Sequence, residues 1–301
     1  MNRKVVSEDV LFCLFARFVL RTLNISFCGL HVVFILYWFI QITTACSFHT
    51  PSGSMSPTLL PDESGLVNKW KLGARIFNIV DAVEGKPYTI KRLPGYGQLE
   101  RGDVIVFNYP YQDKTEDSIA MNLRMYYCKR AIAVAGDSLE IRNCFYHVKG
   151  HADTIGVASE QKQLQNHIDY FLKHNTEYQW WMRCAPYDTL FNWSVRDMGP
   201  ILIPGKGTIV NLDRKNCILY RKYIEWESKS KLMWLDSVAV LDGKPLKSYT
   251  FTENYCFAAG DHVIDSKDSR YFGLIPEKFI VGTAGILWKS HDHRRIFTII
   301  N

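Results

Sequence analysis

The chain has 301 residues, 47% of them hydrophobic and 22% charged, with a formal net charge of +6. That length holds a membrane anchor plus one large domain or two smaller ones. Its positive charge is dispersed, with no dense Lys/Arg run and no Cys-x-x-Cys pair, so nucleic-acid binding has no support.

The first element is apolar. From Asn24 to Cys46 the chain reads NISFCGLHVVFILYWFIQITTAC, without Asp, Glu, Lys or Arg. A run of about 20 such residues crosses a bilayer as a helix. Arg3, Lys4, Arg17 and Arg21 precede it, and the next cation is Lys69. The positive-inside rule therefore predicts a cytoplasmic segment over 1–23, a transmembrane helix over 24–46 and export of the remainder. Residues 10–20 are also apolar, but Arg17 interrupts them. They read as an interfacial helix, with a second span as the alternative. Thr44-Ala45-Cys46 has a faint likeness to a lipoprotein cleavage site, yet the apolar stretch is too long for a signal h-region, so an uncleaved anchor is expected.

Directly after the span comes Pro51-Ser52-Gly53-Ser54-Met55-Ser56-Pro57-Thr58-Leu59. It offers two serines one residue apart, with a Gly between them. If it is catalytic, it holds a nucleophile close to a membrane surface. Met55 and Pro57 are expected on the rim, presenting apolar surface to lipid.

Short runs rich in Val, Ile, Tyr and Phe follow, punctuated by Gly, Pro and Asp, and these argue for strands. They cover 65–70, 103–109, 126–135, 139–141, 208–212, 238–241, 249–257 and 279–288. Arg101-Gly102-Asp103 and Ala135-Gly136-Asp137 read as turns, and Asp242-Gly243 as a hairpin turn. Residues 160–172 carry Leu164, Ile168, Phe171 and Leu172 at helical spacing, which predicts a short helix. The stretch around Trp180, Trp181 and Trp193 is aromatic and irregular. The expected fold class is mainly β: an antiparallel β-sheet catalytic core with an inserted second β subdomain, preceded by the one transmembrane helix. Core residues 47–149 would be followed by the insertion at 150–244 and by core residues 245–301. Six of the eight cysteines lie from Cys46, at the end of the span, onward. Export would allow a disulfide among them, but spacing cannot pair them, and buried free thiols are the expected state of most.

A serine hydroxyl needs a base within hydrogen-bond reach to act as a nucleophile at neutral pH. None of the histidines beyond the span sits in a context pointing to a Ser-His-Asp triad. Lys129 is the better candidate, in the apolar and aromatic run Tyr126-Tyr127-Cys128-Lys129-Arg130-Ala131-Ile132. Strand alternation puts Lys129 and Arg130 on opposite faces, so one of them points to the less exposed side. Desolvation makes a lysine lose its proton more readily, and a base near neutral pH needs a depression of about 2–3 units, or about 3–4 kcal/mol. Taken alone, Lys129 also reads as a strand lysine with its amine in solvent, and Ser-x-Ser as an ordinary turn.

The order of four blocks decides between these readings. PSGSMSPTL after a span, RGDVIVFNYP at 101–110, YYCKRAIAVAGD at 126–137 and GDHVIDSKDSRYFGLIP at 260–276 resemble the membrane-bound type I signal peptidases of bacteria. The likeness covers about half of the part after the span; 150–244 matches only in general character. It implies a Ser–Lys dyad with Ser54 as nucleophile and Lys129 as general base. It further implies an oxyanion hole from the Ser54 backbone N–H and the Ser52 hydroxyl, and Ser266 as the serine that orients the lysine amine. Asp268 and Arg270 match a supporting ion pair. Neither a cofactor nor a metal is implied. The partners implied are signal-peptide-bearing preproteins and the lipid bilayer, at the outer face of a bacterial cytoplasmic membrane, with small residues preferred one and three positions before the cut. One departure stands out: Gly260-Asp261-His262-Val263 replaces the family's Gly-Asp-Asn-Arg, and His262 is expected to make a compensating structural contact. A dedicated peptidase for one specialised substrate, or a silent membrane-anchored binding domain, are the rival readings.

Overall fold

The computed structural model describes residues 21, 29–112, 115–174 and 180–300. Helix α1 covers residues 29–43 and exposes an apolar row from Leu30 to Ile42. Its last carbonyls, those of Gln41 and Ile42, accept hydrogen bonds from Lys69 Nζ at 2.6 and 3.4 Å, a cation at the negative end of the helix dipole. Among the described residues no helix is long and apolar enough to cross a membrane. The expected 24–46 helix is corrected at its end, because Ala45 and Cys46 already belong to a strand. Its beginning at 24–28 and the apolar run at 10–20 lie outside the described residues.

Runs rich in β-branched and aromatic residues then build one antiparallel sheet. Its strands are β1 (Ala45–His49), β2 (Ser64–Asn68), β3 (Val104–Asn108) and β4 (Tyr126–Ala133). A second antiparallel sheet is made by β5 (Ser138–Arg142), β6 (Phe145–Val148) and β7 (Met198–Leu202). The first is completed by β8 (Tyr255–Ala259), β9 (Ile275–Pro276) and β10 (Ile280–Lys289). The seven-stranded order is β1-β2-β10-β3-β4-β8-β9 and the three-stranded order β6-β5-β7. All five residues of β3 and of β8 are buried, as expected for central strands covered on both faces.

The expected strands appear, with one split: 249–257 divides into Ser248–Thr250 and β8. Asp242 and Gly243 take φ of 51° and 73°, the left-handed pair a tight hairpin turn requires, and join Val238–Leu241 to Lys244–Leu246.

Residues 150–244 carry more helix than the one short helix expected among their strands. They contain α2 (Ala158–His174), where a helix is predicted, and α3 (Arg214–Ser228), where none is. Cys217, Tyr220, Tyr223 and Ile224 form the buried stripe of α3, at helical spacing that tyrosines, common in strands, disguise. Asp213 caps it by accepting the Asn216 N–H at 2.7 Å, one of the backbone donors a helix start leaves orphaned. Ile168 and Ile224 share one hydrophobic cluster with Ile105 and Phe107 of β3. The aromatic stretch packs there too, with Trp181 edge-on to Phe171 at 5.9 Å. The six described cysteines are free thiols.

Candidate active site

Ser54 lies in the loop that joins β1 to β2. The two strands pair in register from Ala45↔Asn68 to His49↔Ser64, so residues 50–63 must turn back within a short span. Buried polar groups fix that turn. The Thr50 hydroxyl donates to the Leu60 and Glu63 carbonyls at 3.1 and 3.0 Å. The Glu63 carboxylate accepts from the Leu60 N–H at 2.8 Å and from Arg295 at 2.6 and 3.0 Å. Burial alone would raise this carboxyl, but Arg295 and its other donors hold it below the usual range. Arg295 also donates to the Thr58 carbonyl at 2.9 Å. Beneath the loop, Met55 and Leu59 pack with Val104 and Leu287. Met55 is therefore an anchor at the floor of the cleft and not an exposed rim residue, while Pro57 is exposed.

Lys129 comes from β4, where it pairs with Ile105 across the ladder. Its Nζ donates to Ser54 Oγ at 2.6 Å. Burial pulls this ammonium below the usual lysine range, against the opposing attraction of Asp268. Arg130 points the other way, as alternation requires, but it is buried as well. It forks onto Asp261 with two contacts of 2.7 Å and reaches the Gly102 carbonyl at 2.7 Å and the Thr58 hydroxyl at 3.1 Å. One bidentate guanidinium thus ties β4, the Ser54 loop and the segment after β8 together.

That segment wraps the carbonyl side of Ser54. The His262 N–H donates to Ser54 O at 3.2 Å. Gly260 has no room for a side chain: a Cβ there would lie 2.3 Å from Ser266 Oγ and 2.4 Å from Ser54 O. Ser266 follows, with its hydroxyl donating to Asp268 Oδ2 at 2.7 Å. Its oxygen makes no hydrogen bond to Lys129 among the described residues. The Gly260 N–H also donates to Asp268 Oδ2, at 3.0 Å. Asp268 and Arg270 are 0% and 1% exposed, joined by two contacts of 2.8 Å. Burial would raise the Asp268 carboxyl, yet the Arg270 charge and its hydrogen bonds keep it below the usual range. Asp268 also caps α4 (Ser269–Phe272). A solvated surface pair would contribute little; this one is interior, where breaking it leaves an unpaired charge.

Ser52 is exposed, and its hydroxyl lies 3.4 Å from Ser54 Oγ. His262 stands 3.9 Å from Glu160 Oε2, on the first turn of α2. A cleft of about 290 Å³ opens over Ser54 and Lys129, with Ser52, Tyr127, Asp265 and Lys267 among its walls. Among the described residues no group of three or more His, Cys, Asp or Glu is placed to hold a metal ion.

The structure thus brings Ser52, Ser54 and Lys129 into one cleft, with Ser266, Asp268 and Arg270 behind it. Reasoning from the sequence missed Arg130–Asp261 and Glu63–Arg295. The first was within reach, since Arg130 follows Lys129 and Asp261 lies in the same block as Ser266. The second joins residues 232 positions apart, with no local pattern to reveal it.

Comparison with known proteins places this geometry in context. Residues 24–289 match the family model described as signal peptidase, peptidase S26. Signal peptidase I of Buchnera aphidicola subsp. Schizaphis graminum is 26% identical over 285 residues, covering 91% of this chain and 76% of that protein. The corresponding protein of the Acyrthosiphon pisum subspecies is 29% identical over 257 residues, covering 81% and 68%. Signal peptidase I of Haemophilus influenzae is 26% identical over 268 residues, covering 81% and 63%.

Proposed function

Because the chain belongs to the signal peptidase family, peptidase S26, we propose that this serine endopeptidase cuts signal peptides from exported preproteins through a Ser54–Lys129 dyad. The observation that carries the reading is the 2.6 Å contact between Lys129 Nζ and Ser54 Oγ, at a lysine that burial biases toward its neutral form. A neutral amine accepts a proton; an ammonium cannot.

In the reaction, Ser54 Oγ attacks the scissile carbonyl carbon while its proton passes to Lys129 Nζ. The developing oxyanion accepts hydrogen bonds from the Ser54 N–H and the Ser52 hydroxyl. Such a donor is worth about 3 kcal/mol of barrier. Lys129 then gives its proton to the leaving amine, the C–N bond breaks and an ester to Ser54 remains. The same lysine takes a proton from the water that hydrolyses this ester. Ser266 positions the amine: with its own proton committed to Asp268, its oxygen is left as an acceptor for Lys129. The apolar row of α1 continues the uncharged run that starts at Asn24 and supports an anchor in a bacterial cytoplasmic membrane. Residues 1–23 then lie on the cytoplasmic side and the cleft on the outer face.

The test is cleavage, in detergent, of a preprotein with an Ala-x-Ala site by the native chain, Ser54→Ala and Lys129→Ala. Cutting after the second alanine by the native chain alone is expected. Activity that survives both substitutions would sink the dyad.

A further inference from the structure

The cleft over Ser54 carries more charge than the reaction needs, and that charge does not cancel. Asp265 and Lys267 flank Ser266, and both line the cleft. Lys267 is already engaged: its Nζ lies 2.5 Å from Glu116 Oε1 and 5.4 Å from the centroid of the Tyr109 ring. Tyr109 donates to the same Glu116 oxygen, which fixes that carboxylate beside the lysine. On the far wall, His49 faces Asp62 at 3.6 Å. Lys129, biased toward its neutral form by burial, acts as a neutral amine in the proposed reaction. Asp265 is different: it is exposed, and among the described residues its side chain makes no hydrogen bond or ion pair. The uncompensated charge beside the reacting serine is therefore negative.

On the peptidase reading given above, we propose that Asp265 is a specificity-determining residue that favours substrates with a Lys or Arg close to the scissile bond. A cationic side chain laid in the cleft finds the Asp265 carboxylate unoccupied. A substrate carboxylate meets the repulsion of Asp265 and finds Lys267 held by Glu116. Both partners stay in contact with water, so the preference is modest and is screened by salt.

The experiment uses the full chain in detergent and matched Ala-x-Ala peptides that differ only in one residue near the cut. That residue is Lys, Gln or Glu, placed in turn at the x position two before the bond and at the first position after it, and kcat/KM is measured at low and high salt. At one of these placements the native chain should favour Lys over Glu by about threefold to fivefold at low salt, chiefly through KM. Asp265→Asn should collapse that ratio towards one, as should high salt. Lys267→Gln should keep or widen it, because a positive charge is then removed from the same wall. An unchanged ratio in Asp265→Asn, or a native preference for Glu, overturns the proposal. Cleavage of all peptides without charge preference overturns it alone. Cleavage of none by the native chain overturns the peptidase reading, and this inference with it.

Discussion

Ser54 sits half-buried on a loop whose neighbours Ser52 and Pro57 are exposed, whereas Lys129 sits on a central strand at 4% exposure. The loop is fastened from behind, through Glu63, Arg295 and the buried Met55 and Leu59. The strand is walled in, with Arg130–Asp261 on its other face and Asp268–Arg270 behind Ser266. The contrast follows from the two proposed roles. A nucleophile must meet its substrate, so it is held by its neighbours and left open in front. A lysine base must shed its charge, so it is desolvated, and the ion pairs that enclose it are satisfied by one another instead of by its amine.

Removing the base breaks the contrast most severely. Lys129→Ala should lower kcat by about a thousandfold or more, with the circular dichroism spectrum kept. Its pH dependence sharpens the point. Burial lowers the Lys129 value and the reaction uses the neutral amine, so kcat/KM of the native chain should fall as pH drops through that lowered value. A rate that holds steady on acidification would remove Lys129 as the base.

Next in size is the wall itself. Asp268→Asn leaves Arg270 buried without its partner and should destabilise the fold by about 3–5 kcal/mol in urea unfolding. The sign with pH is set by the lowered Asp268 carboxyl. Its contribution is full above the usual carboxylate range and is lost as pH falls through the depressed folded value. The native chain should therefore lose stability on acidification more steeply than Asp268→Asn does.

Gly260→Ala tests where the two halves meet. The added methyl must displace Ser266 or the Ser54 backbone, and shifts of about 1 Å at such a site cost about a hundredfold in rate. A fall in kcat larger than the rise in KM is the expected signature. The smallest effect belongs to the fastening of the Ser54 loop. Glu63→Gln weakens a pair whose Arg295 partner is partly solvated and should cost about 1–2 kcal/mol of stability. A loss as large as that of Asp268→Asn would show that the loop is walled in after all.

Much of this was legible residue by residue. The runs at 103–109 and 126–135 announced β3 and β4 because their residues suit a pleated, covered surface, and Asp242-Gly243 announced its turn because few other pairs accept two left-handed residues. Helix α2 was visible in the spacing of Leu164, Ile168 and Phe171. Helix α3 was not, because Tyr220 and Tyr223 carry its buried stripe. The burial of both cations on β4 was also out of reach: alternation says that Lys129 and Arg130 face opposite ways, not that both faces are covered. The pairing of Glu63 with Arg295 depends on β10 lying beside β2, which no local pattern encodes.

By itself the sequence determined the order of the blocks, the family likeness and the residue types able to do the chemistry. These follow from short-range preferences and from motifs contained within single segments. Tertiary structure decided which of those residues meet. Ser54, Lys129 and Ser266 come from a loop, a strand and the turn after another strand. Only the strand order β2-β10-β3-β4-β8 gathers them at one site and removes the water that would otherwise favour the charged form of Lys129. Desolvation is a property of the assembled packing, and no single segment carries it.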